Sequence, residues 1–321
     1  MSGKYRQQPM DLTKLTTVSV FDRGGKVQIE HFAGVHEKGG SLASLLDKMP
    51  KLLAADHLRS VVAAIANARA LGKPVIWGMG GHVIKCGLAP VLIDLVQRGF
   101  ITAYVMNGST SIHDFEIGIC GATSEDVEAV LPDGSFGSAE ETGRWMNEAA
   151  LEAAEQKIGL GEAYGAKLAQ VGQAGMREQS VLYTAWKQSI PVTVHLAMGT
   201  DTPHTHPAAD GATLGAGTLR DFRLLCGVVS EMSNGGVYVN CGSAVVLPEV
   251  FLKVVSSVRN LGVKLENFTT VNLDFLQHYR PKMNVVERPH AKAGGKGYSL
   301  TGHHEIMVPL LAALLIEGDN R

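Results

Sequence analysis

Apolar and polar positions follow two different periods along this chain. Short apolar runs that close on glycine are typical of buried strands, and longer runs with apolar residues three or four positions apart are typical of helices. Five runs are predicted as strands: residues 73–79, 101–106, 190–198, 235–240 and 268–275. The main helical runs lie between and after them, at residues 52–71, 89–99, 139–168, 218–232, 248–262 and 304–317. This alternation predicts an α/β fold with a doubly wound, mostly parallel, Rossmann-like sheet.

The chain shows no linker, low-complexity tract or internal repeat. We therefore predict a single domain over residues 1–321, with residues 1–72 as an N-terminal helical extension. The net charge of −2 argues against a nucleic-acid partner. No run of 18 apolar residues occurs, so no membrane span is expected. Four widely spaced cysteines favour free thiols and a cytoplasmic location.

Four predicted strands end in turns that are rich in glycine, serine and threonine. Their sequences are GMGGHV, NGSTS, GTDTPHTHPAADG and CGSAV. In a doubly wound sheet the ligand binds at the carboxyl ends of the strands, where glycine lets the backbone approach it closely. The turns therefore indicate a nucleotide site, although glycine-rich turns also occur in α/β folds without one. Neither GxGxxG nor GxxxxGKS is present.

The NGSTS turn is followed at once by His113, Asp114 and Glu116. Carboxylates in a first helical turn are favourable for the helix dipole, which is a structural explanation. At the ligand edge of the sheet they also suit the hydroxyl groups of a ribose.

Histidines are concentrated at positions where strands are predicted to end. The candidates for proton transfer are His113, His278, His303 and His304, together with Glu305, because imidazole titrates near neutral pH. His204 and His206, in HTHP, are the residues that suit a metal-dependent hydrolase. HxH alone is a weak signal, so no metal site is predicted.

Taken together, these segments resemble the deoxyhypusine synthase family over residues 73–317. The similar stretches are GMGGHVIKCGLAPVLIDLVQRGFITAYVMNGSTSIHDFE, TDTPHTHPAADGATLG, GGVYVNCGSAVVLPEVFLK, VNLDFLQHYRP and GHHEIMVPLLAALL. The resemblance implies NAD as cofactor, a small-molecule substrate and a homotetramer. It implies an NAD pocket lined by Gly80, Gly81, His82, Asn107, Gly108, Ser109, Asp114, Gly242 and Ser243, with either Asp201 or Asp210 as a further carboxylate.

The substrate residues of that family are largely replaced. The place of its catalytic lysine falls on Arg288 and Pro289, and only Lys292 and Lys296 lie nearby. Its acidic polyamine pocket retains one carboxylate, Asp274. A polycation needs several carboxylates, so a neutral or anionic substrate is expected.

The first hypothesis is therefore an NAD-dependent enzyme, of transferase or oxidoreductase type, that transiently oxidises a small amine or alcohol. The alternatives are an aminobutyl transferase using Lys292 or Lys296, a non-catalytic NAD-binding protein, and a deaminase. The deaminase is suggested by NGSTSIHDFEIGICGATSED, which is similar to a segment of archaeal-type ornithine cyclodeaminases. We expect His113→Ala and Asp114→Ala to weaken NAD binding or turnover without unfolding the chain.

Overall fold

In the computed structural model, which describes residues 4–319, six parallel strands form one sheet. The strands are β1 (Val75–Met79), β2 (Ala103–Asn107), β3 (Val192–His195), β4 (Val237–Cys241), β5 (Thr269–Asp274) and β6 (Lys296–Thr301). Their order is β3-β2-β1-β4-β5-β6 and every neighbouring pair is parallel. This is the order of a dinucleotide-binding sheet, with its topological switch point between β1 and β4. The predicted fold class is confirmed.

Thirteen α-helical segments are found within residues 4–319, several of them a single turn long. Before β2 they are α1 (Leu42–Lys48), α2 (Leu53–Ala70), α3 (Gly81–Lys85) and α4 (Ala89–Gln97). Between β2 and β3 they are α5 (Gly108–Cys120), α6 (Val127–Val130), α7 (Glu140–Gln156), α8 (Leu160–Val171) and α9 (Val181–Lys187). After β3 they are α10 (Gly211–Ser230), α11 (Val246–Asn260), α12 (Tyr279–Pro281) and α13 (His304–Glu317). None of the described helices has the length and apolar character needed to cross a membrane.

Alternate residues of β1, β2 and β4 face two separate cores, as the period of a β-strand requires. Trp77 and Val239 pack into the larger core with α2, α4, α5, α8 and α13. Ile76 and Tyr238 pack on the other face with α10 and α11. Both faces of the sheet are covered, which is why its strands read as continuous apolar runs.

The segment 1–72 divides into two parts within the described residues. Residues 4–41 hold only a 3-10 turn, Ile29–His31, and are almost entirely exposed. Helix α2 instead buries Leu58, Val61 and Ile65 in the main core, where it contacts β6 and α13. The helical part of this segment therefore belongs to the layer that covers the sheet.

The sixth strand was not predicted, because KAGGKGYSLTG reads as a flexible glycine-rich loop. It is a strand with Tyr298 and Leu300 buried, and that alternation was its sequence signal. Gly297 has a packing reason: a Cβ there would lie 2.0 Å from the carbonyl oxygen of Val286. The glycine admits the π-helical turn Lys282–Glu287 against the strand.

Candidate functional site at the carboxyl edge

The five residues of NGSTS bring the ends of β1 and β2 together. The backbone N–H of Thr110 donates to Asn107 Oδ1 (2.9 Å), which caps α5, and the Thr110 hydroxyl donates to the Met79 carbonyl (2.8 Å). A Cβ on Gly108 would lie 1.9 Å from Asp201 Oδ2, and a Cβ on Gly81 would lie 2.3 Å from Ser109 Oγ. Small residues are required here because neighbouring turns touch.

A second close contact joins the turns after β1 and β4. A Cβ on Gly80 would lie 2.2 Å from the Gly242 carbonyl oxygen, and the Gly80 N–H donates to Cys241 (2.9 Å). Gly242 has φ +69, a conformation that favours glycine. The adjacent Ser243 hydroxyl accepts from the backbone N–H of Leu247 (3.3 Å), so it serves the start of α11. The glycine turns thus meet at the switch point of the sheet.

Beside this junction lies a cavity of about 200 Å³. It is lined by residues of α3, α5, the segment after α5 and the loop after β3: Lys85, Ser109, Ile112, His113, Glu116, Ser124, Glu125, Val127, Phe136, Thr200, Asp201 and Thr202. It is smaller than the roughly 300–1,000 Å³ of a pocket for a drug-sized ligand. The cavity has room for a small molecule and not for a whole dinucleotide.

His113 and Glu116 form a hydrogen-bonded group at this cavity. His113 Nδ1 lies 2.7 Å from the Thr123 hydroxyl, which donates to Glu116 Oε2, and His113 Nδ1 is 3.8 Å from that carboxylate oxygen. Burial acts to raise the pKa of Glu116. The hydrogen bonds from His113 and Thr123 outweigh burial, so this pKa lies below its ordinary value. Glu116 is therefore a carboxylate that stabilises a protonated His113.

Asp201 has an unpartnered buried oxygen at the same cavity. Its side chain is 8% exposed, and in the described part of the chain Oδ2 has no hydrogen-bond partner. Burial raises the pKa of Asp201, while His204, 3.9 Å away, acts in the opposite direction. An unpaired buried acceptor is costly, so a ligand that donates to it would be stabilised.

Asp210 does not lie with Asp201. Its carboxylate accepts from the backbone N–H groups of Ala212 (3.0 Å) and Thr213 (3.3 Å) and caps α10. Of the two aspartates considered for the ligand, Asp201 is the one that reaches the cavity.

Asp114 was expected in the cofactor pocket, and the structure gives it a different role. It is fully buried and accepts from the Ser180 hydroxyl (2.6 Å) and from the backbone N–H groups of Val181 and Leu182 (2.8 Å each). Burial raises the pKa of Asp114 to about 6, although these hydrogen bonds favour the charged form. Asp114 anchors the start of α9 to α5, so replacing it with alanine should destabilise the fold.

The remaining predicted histidines lie on the β5–β6 side of the edge, outside the cavity. His304 is 1% exposed and lies 3.7 Å from Asp274, and within residues 4–319 neither of its ring nitrogens has a hydrogen-bond partner. Burial lowers the pKa of His304, and Asp274 acts against that shift. His303 is exposed and stacks on Phe275, with ring centroids 5.8 Å apart.

Three further candidates stand apart from the cavity. His278 is exposed directly before α12. His82 and Glu305 lie close to His304, and Cys86 stands between them, within 3.3 Å of His82 and 3.7 Å of Glu305.

Lys296 is at the opposite edge of the sheet. It begins β6 and pairs with Thr269, the first residue of β5, whereas Asp274 and Thr301 form the carboxyl edge. A strand of six residues places these edges roughly 17 Å apart. Lys292 precedes β6 and lies at the same amino edge. Neither lysine meets the candidate site, because parallel strands carry all their carboxyl ends on one side.

The two histidines of HTHP, His204 and His206, have different partners. His204 Nδ1 accepts from the Gly199 N–H (3.2 Å), whereas His206 Nε2 lies 3.1 Å from Glu140. Among residues 4–319 they form no ligand cluster for a metal ion.

Sequence reasoning missed Lys85, Thr123 and Glu125 as residues of the site. Lys85 follows the β1 glycine turn by one helical turn, and that spacing was a usable signal. Thr123 and Glu125 carry no motif, because the loop after α5 folds back over the helix only in the tertiary structure.

No protein-family model and no curated protein matches the chain. Solved structures with a similar fold include the "conserved putative LOR/SDH protein" of Methanococcus maripaludis, with a TM-score of 0.51 and 15% identity over 83% of this chain and 71% of that one. The "putative deoxyhypusine synthase" of Entamoeba histolytica has a TM-score of 0.50 and 13% identity over 90% of this chain and 98% of that one.

Two longer proteins share the fold over part of their length. ArgZ, a cyanobacterial arginine dihydrolase, has a TM-score of 0.50 and 14% identity over 84% of this chain. AgrE, in a ternary complex with ornithine and NAD+, has a TM-score of 0.50 and 13% identity over 84% of this chain. This chain spans 34% of the length of each. At these identities the likeness shows the fold.

Proposed function

We propose that this chain is an NAD-dependent enzyme that transiently oxidises a small amine at the carboxyl edge of its sheet. The observation that carries the proposal is the junction of the β1 and β4 glycine turns at the switch point, beside a cavity lined by ionisable groups. AgrE, which has a similar fold over 34% of its length, forms a ternary complex with ornithine and NAD+, and this favours the same cofactor and an amine substrate here.

The residues at the junction suit a dinucleotide. Gly80, Gly81 and Gly242 let the turns after β1, β2 and β4 meet at the edge where a dinucleotide-binding sheet holds its pyrophosphate. The buried Asn240 Oδ1 lies near the end of β4 and has no hydrogen-bond partner among the described residues. When bound, NAD would supply a hydride acceptor. The protein residues would hold the substrate and move its protons.

The charge of the cavity favours an amine over an alcohol. Glu116, Glu125 and Asp201 line it against a single lysine, Lys85. Carboxylates in a partly enclosed site bind an ammonium group and repel anions. This charge differs from the expectation of a neutral or anionic substrate, which rested on the family's lost polyamine pocket.

His113 is proposed as the group that takes up the proton of the substrate. It lines the cavity, and Glu116 stabilises the imidazolium that this proton transfer produces. Asp201, which also lines the cavity, would provide a carboxylate for the substrate ammonium. The aminobutyl-transfer alternative loses support, because Lys292 and Lys296 are at the other edge of the sheet.

The proposal is tested by nucleotide analysis and a substrate screen. Purified protein is denatured and the released small molecules are identified by mass spectrometry, and NAD+ binding is measured by calorimetry. Amines, amino acids and alcohols are then screened for product. We expect NAD+ binding and product from an amine; a chain that neither releases nor binds NAD+ would overturn the proposal.

Variants assign the roles in that assay. His113→Ala is expected to lower turnover roughly 100-fold, the size typical of a lost general base. His57→Ala is the matched control, because His57 packs on Tyr298 in the α2–β6 layer, with ring centroids 5.4 Å apart. Equal losses in both variants would contradict the role of His113.

A second copy of the chain is the proposed partner of residues 4–40. This segment exposes large apolar side chains, including Phe21 (94% exposed), Met10 (84%) and Val35 (85%). Large apolar side chains that are exposed close together in the sequence are the kind that a partner covers. Light scattering of the full chain and of a chain without residues 1–40 tests this, and an unchanged mass after truncation would refute it.

A further inference from the structure

Three side chains with metal-binding atoms meet on the β5–β6 side of the carboxyl edge. His82 and Cys86 lie four positions apart, on and directly after α3, and Glu305 is in the first turn of α13. His82 Nε2 is 3.3 Å from Cys86 Sγ, and Cys86 Sγ is 3.7 Å from Glu305 Oε2. Ligand atoms of all three lie within 4.8 Å of one another.

These separations are those of a tetrahedral zinc site. Bonds of about 2.3 Å to sulfur and about 2.0–2.1 Å to nitrogen or oxygen place neighbouring ligand atoms roughly 3.3–3.6 Å apart. The two separations that involve Cys86 Sγ, 3.3 and 3.7 Å, lie close to that range, and the ligand atoms of His82 and Glu305 lie within 4.8 Å of each other. A mixed nitrogen, sulfur and oxygen set suits Zn²⁺ and disfavours Mg²⁺ or Ca²⁺, which prefer oxygen alone.

Aromatic rings lie against one of the three ligands. The His82 ring contacts His304 (centroids 5.5 Å apart) and Phe275 (6.0 Å), both edge to face. His304 is itself buried, with neither ring nitrogen hydrogen-bonded among the described residues, although Asp274 lies 3.7 Å away. A buried imidazole without a hydrogen bond is costly, and it lies directly beside the three ligands. Packed rings next to the ligands restrict the orientation of the metal-binding imidazole.

We propose that His82, Cys86 and Glu305 bind a zinc-class divalent ion. Binding displaces the Cys86 thiol proton to solvent and leaves the thiolate, the imidazole and the carboxylate as three ligands. Three protein ligands leave one position of a tetrahedral ion open for water or a small ligand. The site goes beyond the NAD-dependent function, and its ligands are absent from the lining of the His113 cavity. His82 is then a metal ligand and not part of the dinucleotide pocket.

The experiment measures metal directly in the full-length protein. Metal-free protein is titrated with Co²⁺, and the near-ultraviolet charge-transfer band of a cobalt–thiolate bond is recorded. Zn²⁺ is then added to displace the cobalt, and the zinc content of dialysed protein is determined by mass spectrometry. We expect one equivalent of zinc and a cobalt–thiolate band that Zn²⁺ removes.

Variants show which side chains bind the ion. Cys86→Ser should abolish the cobalt–thiolate band, and His82→Ala and Glu305→Gln should weaken Zn²⁺ binding roughly tenfold or more. Cys120→Ser is the matched control. Cys120 is exposed on α5, and its Sγ contacts the backbone carbonyls of Glu116 and Ala122. Its replacement should leave metal binding unchanged. Circular dichroism verifies that each variant is folded.

The result is independent of NAD. Calorimetry with NAD+ on the same Cys86→Ser sample separates the two proposals, because the proposed junction residues remain intact in it. A folded wild-type chain that retains no zinc and gives no cobalt–thiolate band would overturn the metal site. A band that survives in Cys86→Ser and disappears in Cys120→Ser would overturn it as well.

Discussion

Two carboxylates of α5, Asp114 and Glu116, are two positions apart in sequence. Their hydrogen bonds and surroundings give them different roles. Asp114 points into the protein, where Ser180, Val181 and Leu182 use its acceptor capacity. Glu116 faces a cavity together with His113. Burial dominates the first pKa, which rises to about 6, whereas hydrogen bonds dominate the second, which falls.

The difference teaches how to separate a structural acid from a candidate catalytic one. An acid whose hydrogen bonds are all made within the fold has nothing left to offer a ligand. An acid that lies beside a histidine at a cavity can stabilise that histidine when it takes up a proton. Proximity of His113, Asp114 and Glu116 in sequence could not make this distinction, because neighbouring helix positions face different directions.

The largest expected effect comes from replacing Asp114, the carboxylate with a structural role. Asp114→Ala leaves two buried backbone N–H groups and the Ser180 hydroxyl without an acceptor, at about 1–3 kcal/mol for each unsatisfied group. Urea unfolding should show a loss of about 4 kcal/mol or more. A loss below about 1 kcal/mol would mean that Asp114 is not an anchor.

The pH dependence of stability should follow the buried acids. Burial raises the pKa of Asp114 to about 6 and that of Asp221, a buried residue of α10, to about 7, against an unfolded value of about 3.9. Their contribution is therefore fully present below about pH 4 and is lost as pH rises from there through the folded pKa of each group, at up to about 1.4 kcal/mol per group and pH unit. The free energy of unfolding should fall between about pH 4 and pH 7. In Asp221→Asn the decline should flatten between pH 6 and 7, and an unchanged slope would contradict the assignment.

A conservative change at Glu116 tests the role of the carboxylate at the cavity. Glu116→Gln removes the charge that stabilises protonated His113 and keeps the size of the side chain. We expect turnover to fall about tenfold with a shifted pH–rate profile, and stability to change by less than about 1 kcal/mol. A loss of stability as large as that of Asp114→Ala would show that both carboxylates are structural.

The smallest expected effect is at Lys296, on the far edge of the sheet. Lys296→Ala removes a cation–π contact with Tyr298, with the ammonium 5.0 Å from the ring centroid, worth about 0.5–1 kcal/mol. Turnover of any amine substrate should be unchanged. Loss of turnover with an unchanged melting temperature would restore the aminobutyl-transferase hypothesis.

The sequence was sufficient for most of the fold because apolar periodicity is a local property. It placed five of the six strands, and it marked the glycine turns. Strand β6 was not predicted because Gly294, Gly295 and Gly297 are typical of a loop. Gly297 is explained only by the Val286 carbonyl of a distant turn.

The sequence by itself determined the class of sheet, its parallel character and the edge at which ligand turns collect, because these follow from the period and order of the segments. Only the tertiary structure decided which polar side chains share that edge. It turned Asp114 inward and moved Lys296 to the opposite edge. It also brought Glu305, more than two hundred residues away, to His82 and Cys86. The physical reason is that burial, hydrogen-bond partners and strand direction are set by contacts between distant segments, which no local pattern records.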